Sequence, residues 1–188
     1  MLKERFYMWL LGTEKYTKRD SFVTFPLALK KTILVRGALS LILAAIFAFV
    51  AYYTTTMTQL VGVIVTGVIV FLVMAFITYI TYITAAARNY TIYEGVCTVN
   101  TFDGDTVTKK AWNMTKSQRK LQFDGYDGKA YAVVFKEGMI TGRMMSRPGY
   151  GVRVYAPKNS QPSLRNGEFY LDRYLAIEST GERKITAS

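Results

Sequence analysis

Residues 37–87 read GALSLILAAIFAFVAYYTTTMTQLVGVIVTGVIVFLVMAFITYITYITAAA, with Arg36 before them and Arg88 after. No Asp, Glu, Lys, Arg or His interrupts the run. As one helix it would be about 76 Å long, against a bilayer core of about 30 Å. A single pass cannot use that length, so the run predicts two transmembrane helices that fold back on each other. An uncharged stretch this long marks membrane spans far more often than a buried hairpin of a soluble protein.

Thr54-Thr55-Thr56-Met57-Thr58-Gln59 divides the run. Threonine hydroxyls bond to nearby backbone groups and favour helix ends and turns. The expected organisation is an N-terminal segment over 1–25, a hairpin over 26–87 and a third region over 88–188. Within the hairpin the helices cover about 30–53 and 60–83, joined by a turn at 54–59. Pro26 suits the entry to the first helix.

The flanks orient the hairpin. Residues 1–36 carry eight Lys or Arg, residues 88–188 carry sixteen, and the connecting turn carries none. The positive-inside rule then places both termini in the cytoplasm and the threonine turn outside. Tyr52 and Tyr53 fall at the outer edge, Tyr79 and Tyr82 at the inner edge, where amphipathic rings are expected. A two-span hairpin with a cytoplasmic β domain recurs among small bacterial membrane proteins, so a bacterial cytoplasmic membrane is the expected location.

The net charge is +11, with 24 Lys or Arg, 13 Asp or Glu, no histidine and one cysteine, Cys97. Basic residues beside spans set topology and attract anionic lipid, at about 1 kcal/mol each. Lys30, Lys31, Arg36 and Arg88 are the flanking candidates for anionic lipid or a partner. Lys109, Lys110, Lys116, Arg119 and Lys120 form the densest basic cluster, with Trp112 inside it. A solvated connection between strands is the plainest use of that cluster, anionic headgroups come next, and nucleic acid is the least favoured partner. The lack of histidine rules out a histidine-based triad, and with a single cysteine it leaves no ordinary zinc ligand set. No Walker loop, dinucleotide fingerprint or nucleophile elbow is present, so no cofactor and no catalytic residue is expected.

MLKERFYMWLL at residues 1–11 places Leu2, Phe6, Trp9 and Leu10 near helical spacing. It predicts a helix that either lies on the inner leaflet or packs on protein. Within the hairpin, Ala44, Ala48 and Ala51 form one small-residue stripe, and Thr58, Gly62 and Thr66 another. Such stripes allow close helix approach, either within the hairpin or between subunits. The absence of ionisable groups in the spans argues against a lone hairpin acting as a transporter.

After Arg88 the apolar residues disperse and alternate, punctuated by Gly, Asp and Asn, which predicts a small antiparallel all-β (or α+β) domain of five to seven strands. Strands are expected over Thr91–Phe102, then Thr106–Thr108 beyond the Asp103-Gly104-Asp105 turn. Leu121–Phe123 and Tyr131–Phe135 form a second hairpin around Asp124–Gly128. Further strands fall at Gly138–Arg143 and Val152–Tyr155, with a loop over 157–166. EFYLDRYLAIE at 168–178 fits a helix or a strand. Asp103/Asp105 and Asp124/Asp127 begin like calcium loops but do not continue as such and read as turns. Asn89-Tyr90-Thr91 and Asn113-Met114-Thr115 match glycosylation triplets that a cytoplasmic location would leave unmodified.

The expected function is a non-enzymatic membrane scaffold or assembly subunit of a larger complex, for transport, secretion or conjugation. Its partners would be the bilayer and other membrane subunits or further copies of itself. A membrane-anchored sensor and a homo-oligomeric channel are the alternatives.

Overall fold

The computed structural model describes residues 2–12, 15–54, 56–101, 120–134 and 147–183. The chain divides into two compact units, Met1–Asn89 and Tyr90–Ser188.

The first unit is helical: α1 (Leu2–Leu11), a 3₁₀ turn (Phe22–Thr24), α2 (Leu27–Tyr53) and α3 (Met57–Ala86). Pro26 stands just before α2, and its carbonyl accepts the first helical bond from Lys30 N–H. Proline has no N–H to lose there, and its fixed φ leads into the helix. The break between the long helices is shorter than the sequence predicts. Thr54 and Thr56 have extended backbones and flank it, so Thr58 and Gln59 already lie in α3. The Thr54 hydroxyl donates to Val50 O (2.8 Å), satisfying a carbonyl at the end of α2.

Both long helices have the length and apolarity to cross a membrane. Only 11% and 6% of their most apolar windows are buried, whereas the core helix of a soluble protein is mostly buried. Leu41, Ile42, Phe49, Val61, Val65, Leu72 and Val73 all point outward.

The seam between α2 and α3 recurs every three or four residues. Shielded positions recur on α2 at Leu29, Ile33, Arg36, Ser40, Leu43, Phe47 and Ala51 and on α3 at Leu60, Val63, Gly67, Val70, Met74, Thr78 and Thr81, with Arg36 on Thr81 and Phe47 against Gly67. This is the spacing of helices that pack with a small crossing angle. The close approach falls at Gly67, where an added Cβ would lie 2.8 Å from Phe47 Cβ. Gly67→Ala is therefore expected to weaken the hairpin by about 1 kcal/mol, the low end for overpacking, because the helices can part slightly. Gly62→Ala meets nothing within 4 Å and should be neutral. Thermal loss of helicity in detergent compares them; equal midpoints would refute the seam.

The described residues of the second unit form one seven-stranded sheet: β1 (Tyr90–Asn100), β2 (Lys120–Gly125), β3 (Ala130–Val134), β4 (Tyr150–Pro157), β5 (Ser163–Arg165), β6 (Glu168–Leu171) and β7 (Ala176–Arg183). Their order is β5-β6-β3-β2-β1-β4-β7. The sheet is mixed rather than purely antiparallel, because β6 pairs parallel with β3 (Tyr131↔Phe169, Val133↔Leu171). Residue alternation reports which face is buried but carries no information about strand direction. The chain leaves β3, adds β4 beside β1, then returns to the opposite edge as the β5–β6 hairpin. The stretch 168–178 is therefore two strands and a bend, and the expected loop 157–166 contains β5. The strands expected at 106–108 and 138–143 lie outside the described residues.

One face carries the core: Cys97, Leu121, Phe123, Tyr131, Val133, Val152, Val154 and Leu171. Gly95 and Gly125 face each other across β1 and β2, and neither has room for a Cβ. The Tyr131 ring, stacked on Phe123 with centroids 5.3 Å apart, fills the space at Gly125, while Asp124 O and the Phe123 ring crowd Gly95.

Candidate functional site

Two arrangements stand out, one in each unit. The first joins the end of α3 to the N-terminal segment. Arg88 has φ 51°, the left-handed region, and ends α3 in a Schellman motif. Arg88 N–H donates to Ala85 O (3.0 Å) and Asn89 N–H to Thr84 O (3.0 Å). Ala86 O, at the same helix end, accepts from Arg19 N–H (2.8 Å) and Asp20 N–H (2.9 Å). Bonds from the distant N-terminal segment thus cap a helix carbonyl that its own helix leaves open. The Arg88 Nε donates to Asp20 Oδ2, with the Asp20 side chain 8% exposed and Arg88 62% exposed. The carboxylate stands near the negative end of α3, where an unpaired anion is disfavoured.

Asn89 Nδ2 donates to Leu11 O (3.0 Å), at the end of α1. Gly12, at φ +67°, closes that helix by bonding to Met8 O. Leu10 and Leu11 are buried against Ile83, with Phe6, Tyr7, Tyr16, Ile80 and Tyr82 around them. Tyr7 and Tyr16 stack at 5.6 Å, and Phe25 meets Tyr82 at 5.7 Å. Burial, followed by the neighbouring Tyr82, Tyr7 and Tyr79, raises the Tyr16 phenol above its ordinary range. Arg36 Nη1 donates to Thr81 Oγ1 (3.0 Å), while Thr81 bonds back to Ile77 O.

The basic residues named as contact candidates fall in both units. Lys30, Lys31, Arg36 and Arg88 belong to the helical unit. Lys31 and Arg88 are exposed, and Lys30 bonds to Val23 O. Lys120 lies on β2, 3.7 Å from Glu168. Lys109, Lys110, Lys116, Arg119 and Trp112 lie outside the described residues. Of the two stripes, Ala44 and Ala51 are half-buried and Ala48 is exposed, while Thr58, Gly62 and Thr66 all face away from α2. Asp20 and Asn89 had no signal in the sequence as site residues, since their partners are 68 and 78 positions away.

The second arrangement surrounds Tyr131. Its hydroxyl donates to Asp127 Oδ2 (2.6 Å), and Asp127 Oδ1 also accepts from Lys129 N–H (3.2 Å). Tyr93 lies 5.1 Å and Phe169 5.9 Å from the Tyr131 ring, with Lys129 5.3 Å above the Phe169 face. The Tyr131 hydrogen bond, more than Lys129, holds the Asp127 carboxyl below its ordinary range. Burial, then the bond to Asp127, raises the Tyr131 phenol. These hydrogen bonds hold the turn that Asp127 was expected to form, whereas Asp124 belongs to β2.

The pH response follows from those directions. A carboxyl depressed on folding contributes stability above its unfolded pKa of about 4, lost as pH falls through the folded value. A phenol raised on folding contributes stability below about pH 10 that is lost at higher pH. Tyr131→Phe is expected to flatten both limbs of the β domain's stability–pH curve. Urea titrations across acid and alkaline pH check this, and unchanged limbs would refute it.

On the opposite face Arg153 Nε donates to Glu94 Oε1 (2.8 Å), and Tyr155 donates to Glu178 Oε2 (2.9 Å). Burial and the Glu178 bond raise the Tyr155 phenol. Among the described residues no three His, Cys, Asp or Glu gather as a metal site.

No family model, curated protein or solved structure matches the chain.

Proposed function

We propose that this chain is a two-span membrane subunit that anchors a cytoplasmic β domain and assembles with other membrane proteins. The observation that carries the reading is the outward display of apolar side chains along both long helices, which only hydrocarbon or further helices can cover without cost. Support for assembly comes from Thr58, Gly62 and Thr66, which lie off the α2 seam and so leave a small-residue face for another helix. In the β domain, Tyr131–Asp127, Arg153–Glu94 and Tyr155–Glu178 are engaged with one another within the sheet, which suits a rigid module held beside the membrane.

Both termini face the cytoplasm of a bacterial cell in this reading. A reporter fused to the C-terminus is expected to signal from the cytoplasm; an extracytoplasmic signal would overturn the orientation. Native mass measurement after mild-detergent extraction tests the assembly. Co-purifying heterologous subunits support it. A bare monomer would favour an anchored sensor, and a closed ring of identical copies a channel.

A further inference from the structure

α3 stops where its own sequence would let it continue. The helix ends at Ala86 and β1 begins at Tyr90, so Ala87, Arg88 and Asn89 are the whole connection between the two units. Alanine and arginine are good helix formers, and the connection contains neither glycine nor proline. Arg88 nevertheless holds φ 51°, at the position where a Schellman motif usually has glycine. A residue with a Cβ keeps that conformation only where its surroundings impose it.

The N-terminal segment supplies the constraint. In a continuing helix Ala86 O would accept from Tyr90 N–H, four residues on. It accepts from Arg19 N–H (2.8 Å) and Asp20 N–H (2.9 Å) instead, so the bond that would extend α3 is already taken. Thr84 O, which Arg88 N–H would use in a continuing helix, accepts from Asn89 N–H (3.0 Å). The Asp20 carboxylate holds the Arg88 guanidinium, and Asn89 Nδ2 donates to Leu11 O (3.0 Å). Leu10 and Leu11 against Ile83, and Phe25 against Tyr82, anchor the segment itself. Ala86, Arg88 and Asn89 are thus all gripped from the N-terminal side.

We infer that α1 and residues 15–25 act as a strap that switches the end of α3 between two states. With the strap in place, Arg88 is left-handed and the helix stops at Ala86. With the strap displaced, Ala86 O is open for the next helical bond and Arg88 relaxes to helical dihedrals. The chain then enters β1 on a different course. The change is concentrated in the dihedrals of one residue at the end of an element, which is how a hinge works. The device needs only the helical unit and stands apart from the membrane reading.

The test uses the full-length chain, isotope-labelled and held in detergent micelles, and reads the backbone NMR chemical shifts of residues 86–90. In the parent, Arg88 is expected to show left-handed shifts. Leu11→Asp combined with Asp20→Ala undocks the strap, and the Arg88 shifts are expected to move to helical values. Left-handed shifts retained in that variant, with the β-domain shifts unchanged, would show that α3 stops unaided and overturn the inference. Adding Arg88→Gly to the same pair is expected to restore the left-handed stop, because glycine adopts it without steric cost. Helical shifts at position 88 in that triple variant would also overturn it. Should the double variant not fold, Asp20→Ala alone carries the test. Its Arg88 shifts are expected to move part of the way to helical, and shifts equal to the parental ones overturn the inference.

Discussion

Gly95→Ala is expected to destabilise the β domain by about 3 kcal/mol, the upper end for overpacking. The new Cβ would lie 2.1 Å from Asp124 O and 2.8 Å from the Phe123 ring. Asp124 O belongs to the neighbouring strand and cannot rotate away as a side chain could. β1 is bonded to both β2 and β4, so displacement there propagates to two interfaces. At about 4–8 °C per kcal/mol, the thermal midpoint falls by more than about 10 °C. Near-UV circular dichroism of the full chain in detergent reads the effect, and far-UV helicity should persist. Gly125→Ala should cost less, since its Cβ meets the side chains of Asp127 and Tyr131, which can shift. A Gly95→Ala midpoint within about 2 °C of the parent would contradict the close approach of these strands.

Arg88→Ala is expected to loosen the N-terminal segment by about 2 kcal/mol. The Asp20 carboxylate would stay buried without its partner beside the negative end of α3. This is well below the figure for a fully buried pair, because Arg88 is largely exposed and screened by water. Trypsin cleavage after Lys18 and Arg19 should accelerate about 30-fold, the ratio that about 2 kcal/mol implies. Arg88→Gly should accelerate it less, because glycine relieves the left-handed backbone by roughly 1 kcal/mol while losing the same ion pair. Lys31→Ala serves as the control. Cleavage of Arg88→Ala at the parental rate would show that the ion pair does not hold the segment.

Local patterns were legible where they depend on solvent. The charge-free stretch predicted two long apolar helices, and both are present, although α3 runs to Ala86 and the turn is tighter. Alternation around Asp124–Gly128 predicted the β2–β3 hairpin. The parallel pairing of β6 with β3 was not legible, because a strand's apolar pattern reads alike in both directions. Nor was the seam glycine. The sequence pointed to Gly62 in the small-residue stripe, whereas the rotation of α3 about its axis turns Gly67 toward Phe47.

The sequence alone determined the partition of this chain: where charge is absent, where it resumes, and where helical periodicity yields to alternation. These follow from transfer free energy and backbone geometry, which act on neighbours along the chain. Tertiary structure decided what joins distant segments. The capping of α3 by Arg19 and Asp20, the docking of α1 on Ile83 and the Tyr131 ring over Gly125 all depend on relative placement. Short-range contacts between residues tens of positions apart leave no periodic trace in the sequence, so only the folded chain reveals them.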